Sequence, residues 1–329
     1  MGIAQSLSRA ADTVLDRTVV LGYTRVGSGL RSRWWPGDPA PDALAGRRVL
    51  VTGATSGIGE AAIEGYLALG ATVHLLGRNA AKVEAAVAAT SDPARVVGEV
   101  CDVGDLDDVR RWAADFTSRV PELAGLLHNA GTMTGQERVT SVQDHELSLA
   151  VHVLGPHLIT GLLRAPLEAG AAAGGASVVW MSSGGMYSAK LEADDADDIE
   201  FRRGEYDGVR AYARTKRMQV VLADQWSRAL AGTGVEVESM HPGWSGTPGV
   251  KQHLPRFEKL TRPFLRTPQD AADTAVWLVA TRPASTSPHF WHDRAQRPVV
   301  FPGQSEPDRA AVARLVEHVV GATGMPLPG

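Results

Sequence analysis

Tyr212-Ala213-Arg214-Thr215-Lys216 carries the plainest chemistry in this chain. It lies in a stretch of helical composition, residues 209–231, so Tyr212 and Lys216, four apart, project from one face of one helix turn. An unperturbed tyrosine titrates at about 10 and is a poor base at neutral pH. A nearby ammonium favours the phenolate and lowers that value, which makes the phenol a usable proton donor and acceptor. The same pair also fits an ordinary amphipathic surface, so its meaning depends on what the fold brings beside it.

A second feature supplies that context. Val49 to Gly59 reads VLVTGATSGIG, a short apolar strand, a glycine turn and the start of a helix. That order is what a dinucleotide site requires: Gly53 for the tight turn, Gly57 for close backbone approach to a pyrophosphate, and Gly59 for close helix–strand packing. From Arg48 onward strand-like runs at 48–52, 72–76, 95–100, 123–128, 176–181 and 235–240 alternate with helical stretches at 58–69, 79–89, 105–119, 141–168 and 209–231. This alternation predicts an α/β fold, a Rossmann-type doubly wound parallel sheet in a single domain with an N-terminal helical extension. Ligands then belong beyond the carboxyl ends of the strands, at Gly53, Arg78, Asp102, Asn129, Ser183 and His241-Pro242-Gly243. The expected organisation is an extension over 1–46, a dinucleotide-binding catalytic domain over 47–302 and a helical tail over 303–329.

Two further strands end in chemistry. Val178 to Ser183 closes on a serine pair, whose hydroxyls can hold a substrate oxygen, and another strand closes on His128-Asn129-Ala130-Gly131. With these motifs joined, residues 46–300 resemble the short-chain dehydrogenase/reductase family. The resemblance implies that Gly53, Thr55, Ser56, Gly57, Ile58 and Gly59 surround the pyrophosphate, and that Asp102 and Val103 lie at the adenine. It places Asn129, Ala130 and Gly131 on the central strand beside the cofactor, and Pro242, Gly243 and Thr247 at the nicotinamide end. Ser183, the second of its pair, would hold the substrate oxygen. Tyr212 would transfer the proton, and Lys216 would bind the nicotinamide ribose and depress the tyrosine pKa.

Two departures stand out. The family places an asparagine where this chain has His152, in Val151-His152-Val153-Leu154-Gly155, and there it supports a water-linked proton relay to the lysine; a histidine can also pass protons. The interval from Ser183 to Tyr212 is long and carries Glu192, Asp194, Asp195, Asp197 and Asp198, read as a solvated loop. Such an insertion resembles the retinol-dehydrogenase-like branch, and within it dehydrogenase/reductase member 12-like proteins.

Cofactor choice follows from the second strand, where Gly77-Arg78 replaces the acidic residue that would bond the ribose hydroxyls of NAD(H); Arg78 can neutralise a 2′-phosphate, so NADP(H) is preferred. Residues 244–268, with four prolines and Trp244, Val250, Leu254, Phe257, Leu260, Phe264 and Leu265, should cover a small hydrophobic alcohol or carbonyl substrate, or seal the lid on its own domain. The Ala/Gly-rich run 168–176 reads as a flexible loop.

Composition narrows the remaining classes. A net charge of −4 over 329 residues without a basic stripe gives no footprint for nucleic acid. The single cysteine, Cys101, sits in an apolar run and excludes an internal disulfide, which fits a reducing, cytoplasmic setting. No apolar run reaches membrane-spanning length, and the start has no secretory pattern. Met1 to Ser6 fits the loose myristoylation pattern, and Leu7, Ala11, Val14, Leu15 and Thr18 recur at helical spacing. Arg25, Arg31, Arg33, Trp34 and Trp35 follow, so this extension either docks on its own domain, the favoured reading, or touches a membrane surface. His289 and His292 lack further ligands at metal spacing, so no metal is expected. A homodimer through helices 141–168 and 209–231 is one assembly the family resemblance allows. A cofactor-binding sensor or scaffold with little turnover is the rival to an enzyme.

Overall fold

The computed structural model of the protein describes residues 12, 13, 15, 19–246, 259 and 261–329. Eight strands form one sheet: β1 Arg48–Thr52, β2 Thr72–Gly77, β3 Val96–Val100, β4 Gly125–His128, β5 Ala176–Met181, β6 Val235–Met240, β7 Phe290–His292 and β8 Ala295–Gln296, in the order 3-2-1-4-5-6-7-8. All neighbours are parallel except β7 and β8. The inner strands are buried along nearly their whole length and mostly apolar, because helices cover both faces. Their side chains alternate between two cores: Leu50, Leu126, Val178 and Val237 point to one, Val49, Val51, Leu127 and Val179 to the other.

The longer helices among the described residues are α1 Arg25–Arg31, α2 Gly57–Ala68, α3 Ala80–Ala89, α4 Leu106–Arg119, α5 Gly155–Leu162, α6 Arg164–Ala172, α7 Gly208–Ala229, α8 Pro268–Thr281 and α9 Arg309–Thr323. α2 and α8 pack together on one face, while α4, α5, α7 and α9 bury Trp180, Trp226 and Phe116 on the other. α9 lays Ala311, Leu315 and Val319 into the core that holds Met218 and Leu222 of α7, and the following His157 Nε2–Met325 O contact of 2.7 Å closes the seam. The faces of α5 and α7 expected for pairing with a second copy are therefore packed, at least in part, within the chain.

Three expectations change. The continuous helix over 141–168 is instead a turn bridged at Thr140 and Glu146, a short helical entry, a π turn over Ala150–Leu154, α5, and a bend into α6. Glu146 sets that start, its carboxylate accepting the Leu149 N–H at 2.7 Å. Much of the Ala/Gly-rich run is not a loop but the end of α6; alanine favours helix, and Gly170 faces Leu123 O, where a Cβ would stand 2.1 Å away. The acidic insertion is pinned rather than simply solvated: buried Arg214 pairs with Asp198 at 3.1 Å and Glu192 at 3.2 Å and lies 4.4 Å over the Phe201 ring, and Asp195 caps Ala196–Ile199.

No single helix among the described residues is long and apolar enough to cross a membrane; the bent pair Leu147–Leu162 with Arg164–Ala172 passes only when taken together. Much of the N-terminal helix expected over residues 7–18 lies outside the described residues, as do Thr247, Val250, Leu254, Phe257 and Leu260 of the cover.

Candidate active site

The parallel register brings the carboxyl ends of β1, β4, β5 and β6 to one edge, and with them the glycine turn, Asn129, the serine pair and His241-Pro242-Gly243. Gly53 has φ 64° and its Cβ would meet Ala130 Cα at 2.5 Å, so the turn and the Asn-Ala-Gly segment touch backbone to backbone. Gly59 is equally closed, by Asn129 Nδ2 and Gly53 O, each 2.6 Å from where a Cβ would stand. Asn129 donates both amide hydrogens to Thr52 O and Gly53 O at 3.0 and 2.9 Å. It is a clamp under the turn.

Gly57 differs: φ is 63° and nothing lies within 4 Å of the space a side chain would fill. Ser56 precedes it as the N-cap of α2 without a side-chain cap bond, leaving first-turn N–H groups open toward that space. An anionic pyrophosphate fits this cradle. Thr55 packs over Gly77, whose Cβ would come within 2.7 Å of Thr55 Cγ2, while Ile58 turns into the core. Arg78 is exposed at the end of β2. Asp102 accepts the Gly104 N–H at 2.9 Å, and buried Val103 presents its carbonyl to Gly155. Gly131 lies near His152 Nε2, 3.4 Å from where its Cβ would be. Cys101 beside them is buried, and burial pushes its thiol pKa up, so it is no thiolate nucleophile.

At the other end Ser183 and Tyr212 converge over Gly185, whose Cβ would lie 3.5 Å from Ser183 Oγ and 3.8 Å from Tyr212 Cε1. Burial pushes the Tyr212 pKa up, with the Ser183 hydroxyl opposing as a hydrogen-bond partner. Lys216 does not supply the depression that the resemblance implies. Lys216 is itself desolvated to a pKa of about 7, its Nζ donates to Met181 O at 2.9 Å, and it lies 5.5 Å from the Tyr212 ring centroid. Ser182, the other member of the pair, donates to Lys216 O at 2.8 Å and so fixes the helix rather than facing the cleft.

His152 sits in the π turn with both ring nitrogens engaged. Nε2 accepts the Thr132 N–H at 3.0 Å, which leaves Nδ1 protonated to donate to Thr215 Oγ1 at 2.8 Å, and Thr215 in turn donates to Tyr212 O at 2.9 Å. Burial, then the Lys216 charge, holds its pKa well below the usual imidazole range, so it is neutral.

A match to the short chain dehydrogenase family covers residues 47–191. Dehydrogenase/reductase SDR family member 12 of Bos taurus is 32% identical over 301 residues, spanning 90% of this chain and 92% of that protein. The chain belongs to the short-chain dehydrogenase/reductase family. Retinol dehydrogenase 11 of Mus musculus is 28% identical over 248 residues, 72% of this chain and 74% of that one, in keeping with the retinol-dehydrogenase-like branch. The Pseudomonas aeruginosa RhlG/NADP active-site complex shares the fold at TM-score 0.63 and 23% identity, covering 76% of this chain and 96% of that chain. As a member of this family the protein is an oxidoreductase.

A wall that the sequence did not reveal closes this end of the site. After β6 the backbone of Trp244 donates to Tyr23 O at 2.7 Å, and Gly243, at φ 77°, packs against the Arg266 side chain. Arg266 donates to Tyr23 O at 3.0 Å, to Gly22 O at 2.9 Å and to Asp293, and Arg31 reaches Asp293 Oδ2 at 2.9 Å. Burial works against ionisation of Asp293, but His292, Arg266 and Arg31 outweigh it and hold the carboxyl far below its usual range. The Tyr23 ring packs edge-on to His241 at 4.4 Å and presses on Gly184, next to Ser183. Thus α1 and the Gly22-Tyr23 segment ahead of it dock on the domain, as favoured, and Trp35 joins them with Arg294 5.0 Å over its ring. Thr52 is a second omission: its hydroxyl accepts the N–H groups of Asn129 and Ala130 at 3.1 and 3.0 Å. A polar residue closing an apolar strand was the only signal for it.

Proposed function

We propose that this oxidoreductase transfers a hydride between NADP(H) and a hydrophobic alcohol or carbonyl compound, with Tyr212 as proton donor and acceptor. The observation that carries the reading is the convergence of Ser183 and Tyr212 over Gly185 with Lys216 buried behind them. The nicotinamide, when bound, supplies or accepts the hydride at C4. Ser183 Oγ, half-buried at the strand end, orients the substrate oxygen by hydrogen bonding. Tyr212 gives its phenolic proton to that oxygen in reduction and takes it back in oxidation. Lys216 has donors left beyond Met181 O to hold the ribose, and a charged Lys216 steadies the developing phenolate.

The preference for NADP(H) over NAD(H) rests on two residues. Arg78 stands exposed where a 2′-phosphate would come, and Gly77 cannot accept an acidic side chain without displacing Thr55. Pro242, Gly243, which packs against Arg266, and Thr247, outside the described residues, are assigned to the nicotinamide end by the family pattern. The hydrophobic substrate class rests on Trp244, Phe264 and Leu265 of the cover, with Phe264 51% exposed.

The test is cofactor consumption with a panel of aldehydes, ketones and alcohols. NADPH should be used in preference to NADH, Arg78→Ala should level the two, and Tyr212→Phe should lower kcat by roughly 10²–10⁴ while NADPH still binds. Equal affinities in the unmodified protein would overturn the cofactor assignment. The rival, a cofactor-binding sensor with little turnover, draws on the engagement of both His152 nitrogens, which leaves that ring no free site for proton relay. Tight NADPH binding without Tyr212-dependent turnover would establish it. We place the enzyme in the cytoplasm; the docked extension still turns Leu21 and Val26, 49% and 47% exposed beside Arg25, to the outside, where they make a surface contact with membrane. Liposome partitioning unchanged by a Leu21→Glu/Val26→Glu double variant would refute the contact.

A further inference from the structure

Away from the cleft, three residues far apart in the chain meet at one carboxylate oxygen. Glu200 Oε1 is 2.7 Å from His145 Nδ1 and 3.0 Å from His318 Nε2, at sequence separations of 55 and 118. The ligand atoms of all three lie within 4.8 Å of one another, and the two rings stand at 86° with centroids 6.5 Å apart, so both can aim a nitrogen at one point. No sequence spacing could announce this group, because each member comes from a different segment: the turn after β4, the acidic insertion and α9.

We propose that His145, Glu200 and His318 form a Zn²⁺ site that staples α9 and the acidic insertion to the turn before His152. The donor set is two imidazoles and a carboxylate, which suits zinc among the common divalent ions, with water as the fourth ligand. Tetrahedral ligands at about 2.0–2.1 Å from zinc stand roughly 3.3 Å apart, so the observed carboxylate–imidazole spacings need only small outward rotations. Each ring moves its proton to the nitrogen facing away from Glu200, and the ion replaces the two hydrogen bonds.

The surroundings support a built site. The second carboxylate oxygen, Oε2, already accepts the Glu146 N–H at 2.9 Å and lies 3.6 Å from Arg138 Nη2, which fixes the carboxylate plane and leaves Oε1 for the ion. The Arg138 charge works against the cation, so moderate rather than extreme affinity is expected. Glu200 is 1% exposed while the His145 and His318 side chains are 16% and 15% exposed, which gives the ion and its water a path from solvent. The next residue, Glu146, accepts the Leu149 N–H and the Tyr206 hydroxyl, so the staple braces the turn that leads into the π turn of His152.

This inference is independent of the substrate and cofactor assignments. The test is titration of the chelator-stripped full chain with Zn²⁺ alone, read by competition with a chromophoric chelator, alongside thermal unfolding. One equivalent should bind at micromolar or tighter affinity and raise Tm by about 2 °C or more. His318→Gln keeps a hydrogen-bond donor to Glu200 yet should weaken binding at least about tenfold and lose most of the Tm rise, with an unchanged far-ultraviolet spectrum reporting the fold. His145→Gln should do the same from the other side. Absence of binding at 100-micromolar Zn²⁺, or equal stoichiometry and affinity in both variants, would overturn the site and leave a hydrogen-bonded latch.

Discussion

Replacing Lys216 by methionine should stabilise the cofactor-free protein while removing its activity. Lys216 is 3% exposed and its Nζ has one protein acceptor among the described residues, Met181 O at 2.9 Å. Burial lowers its pKa from 10.5 to about 7. A base whose folded pKa lies below its unfolded value costs stability at every pH under the unfolded value, in full below the folded one, and the cost fades as pH rises toward the unfolded value. At pH 7.5 the shift amounts to about 4 kcal/mol, below pH 6 to about 5, and at pH 10 to under about 1. Methionine removes that cost but strands the Met181 carbonyl, a loss of about 1–2 kcal/mol. The net expectation is a gain of about 2–3 kcal/mol at pH 7.5 and none at pH 10. Urea unfolding of both proteins at the two pH values measures it. A methionine variant less stable at pH 7.5, or a gain of the same size at both pH values, would refute the idea that a desolvated ammonium is stored here for the cofactor.

Asp293→Asn should lower stability by about 3–5 kcal/mol, read by chemical denaturation, because it leaves buried Arg266 without its carboxylate and Arg31 with Asp12 as its carboxylate partner; a change under about 1 kcal/mol would show that the neighbouring carbonyls suffice for Arg266. His152→Asn should leave the pH profile of kcat between pH 6 and 9 unmoved, because burial already keeps His152 neutral across that range; loss of an ionisation from the profile would show that His152 titrates in catalysis. The intact chain should sediment as a monomer, and Leu315→Glu, which puts a charge into the seam of α9 with α7, should produce self-association; a dimer in the unmodified protein would show that pairing uses another face.

What could be read from the sequence follows where one physical signal dominates. β1, β5 and β6 are legible to the residue because each carries a β-branched, valine-rich stretch between helical segments, even though Glu236 and Glu238 interrupt β6. The glycine turn and the Tyr212–Lys216 pair are equally plain, since both are local patterns on one strand-turn-helix unit or one helix turn. Residues 141–172 are not, because an apolar, alanine-rich stretch gives a helical period throughout and conceals the cap at Glu146, the π turn at His152 and the bend after Leu162. The Arg31–Asp293 pair spans 262 residues, so composition could mark the arginine as basic but could not say that it is buried.

The same limit explains why the helix that carries the candidate acid and base was read only in part. Successive residues of α7 point about 100° apart, and each neighbour takes a different one. Tyr212 and Lys216 face the cleft, Arg214 turns to the acidic insertion, and Thr215 carries the hydrogen bond from His152. Arg217 donates to Ala189 O at 3.1 Å and to Val299 O, while Met218 and Leu222 receive α9. A helix fixed on every side cannot roll, so the Tyr212 hydroxyl is placed by the insertion, the tail and the π turn together. Loosening any one of them should therefore lower kcat more than it raises KM, because the misplacement acts on the proton transfer and not on the glycine cradle at the far end of the cofactor.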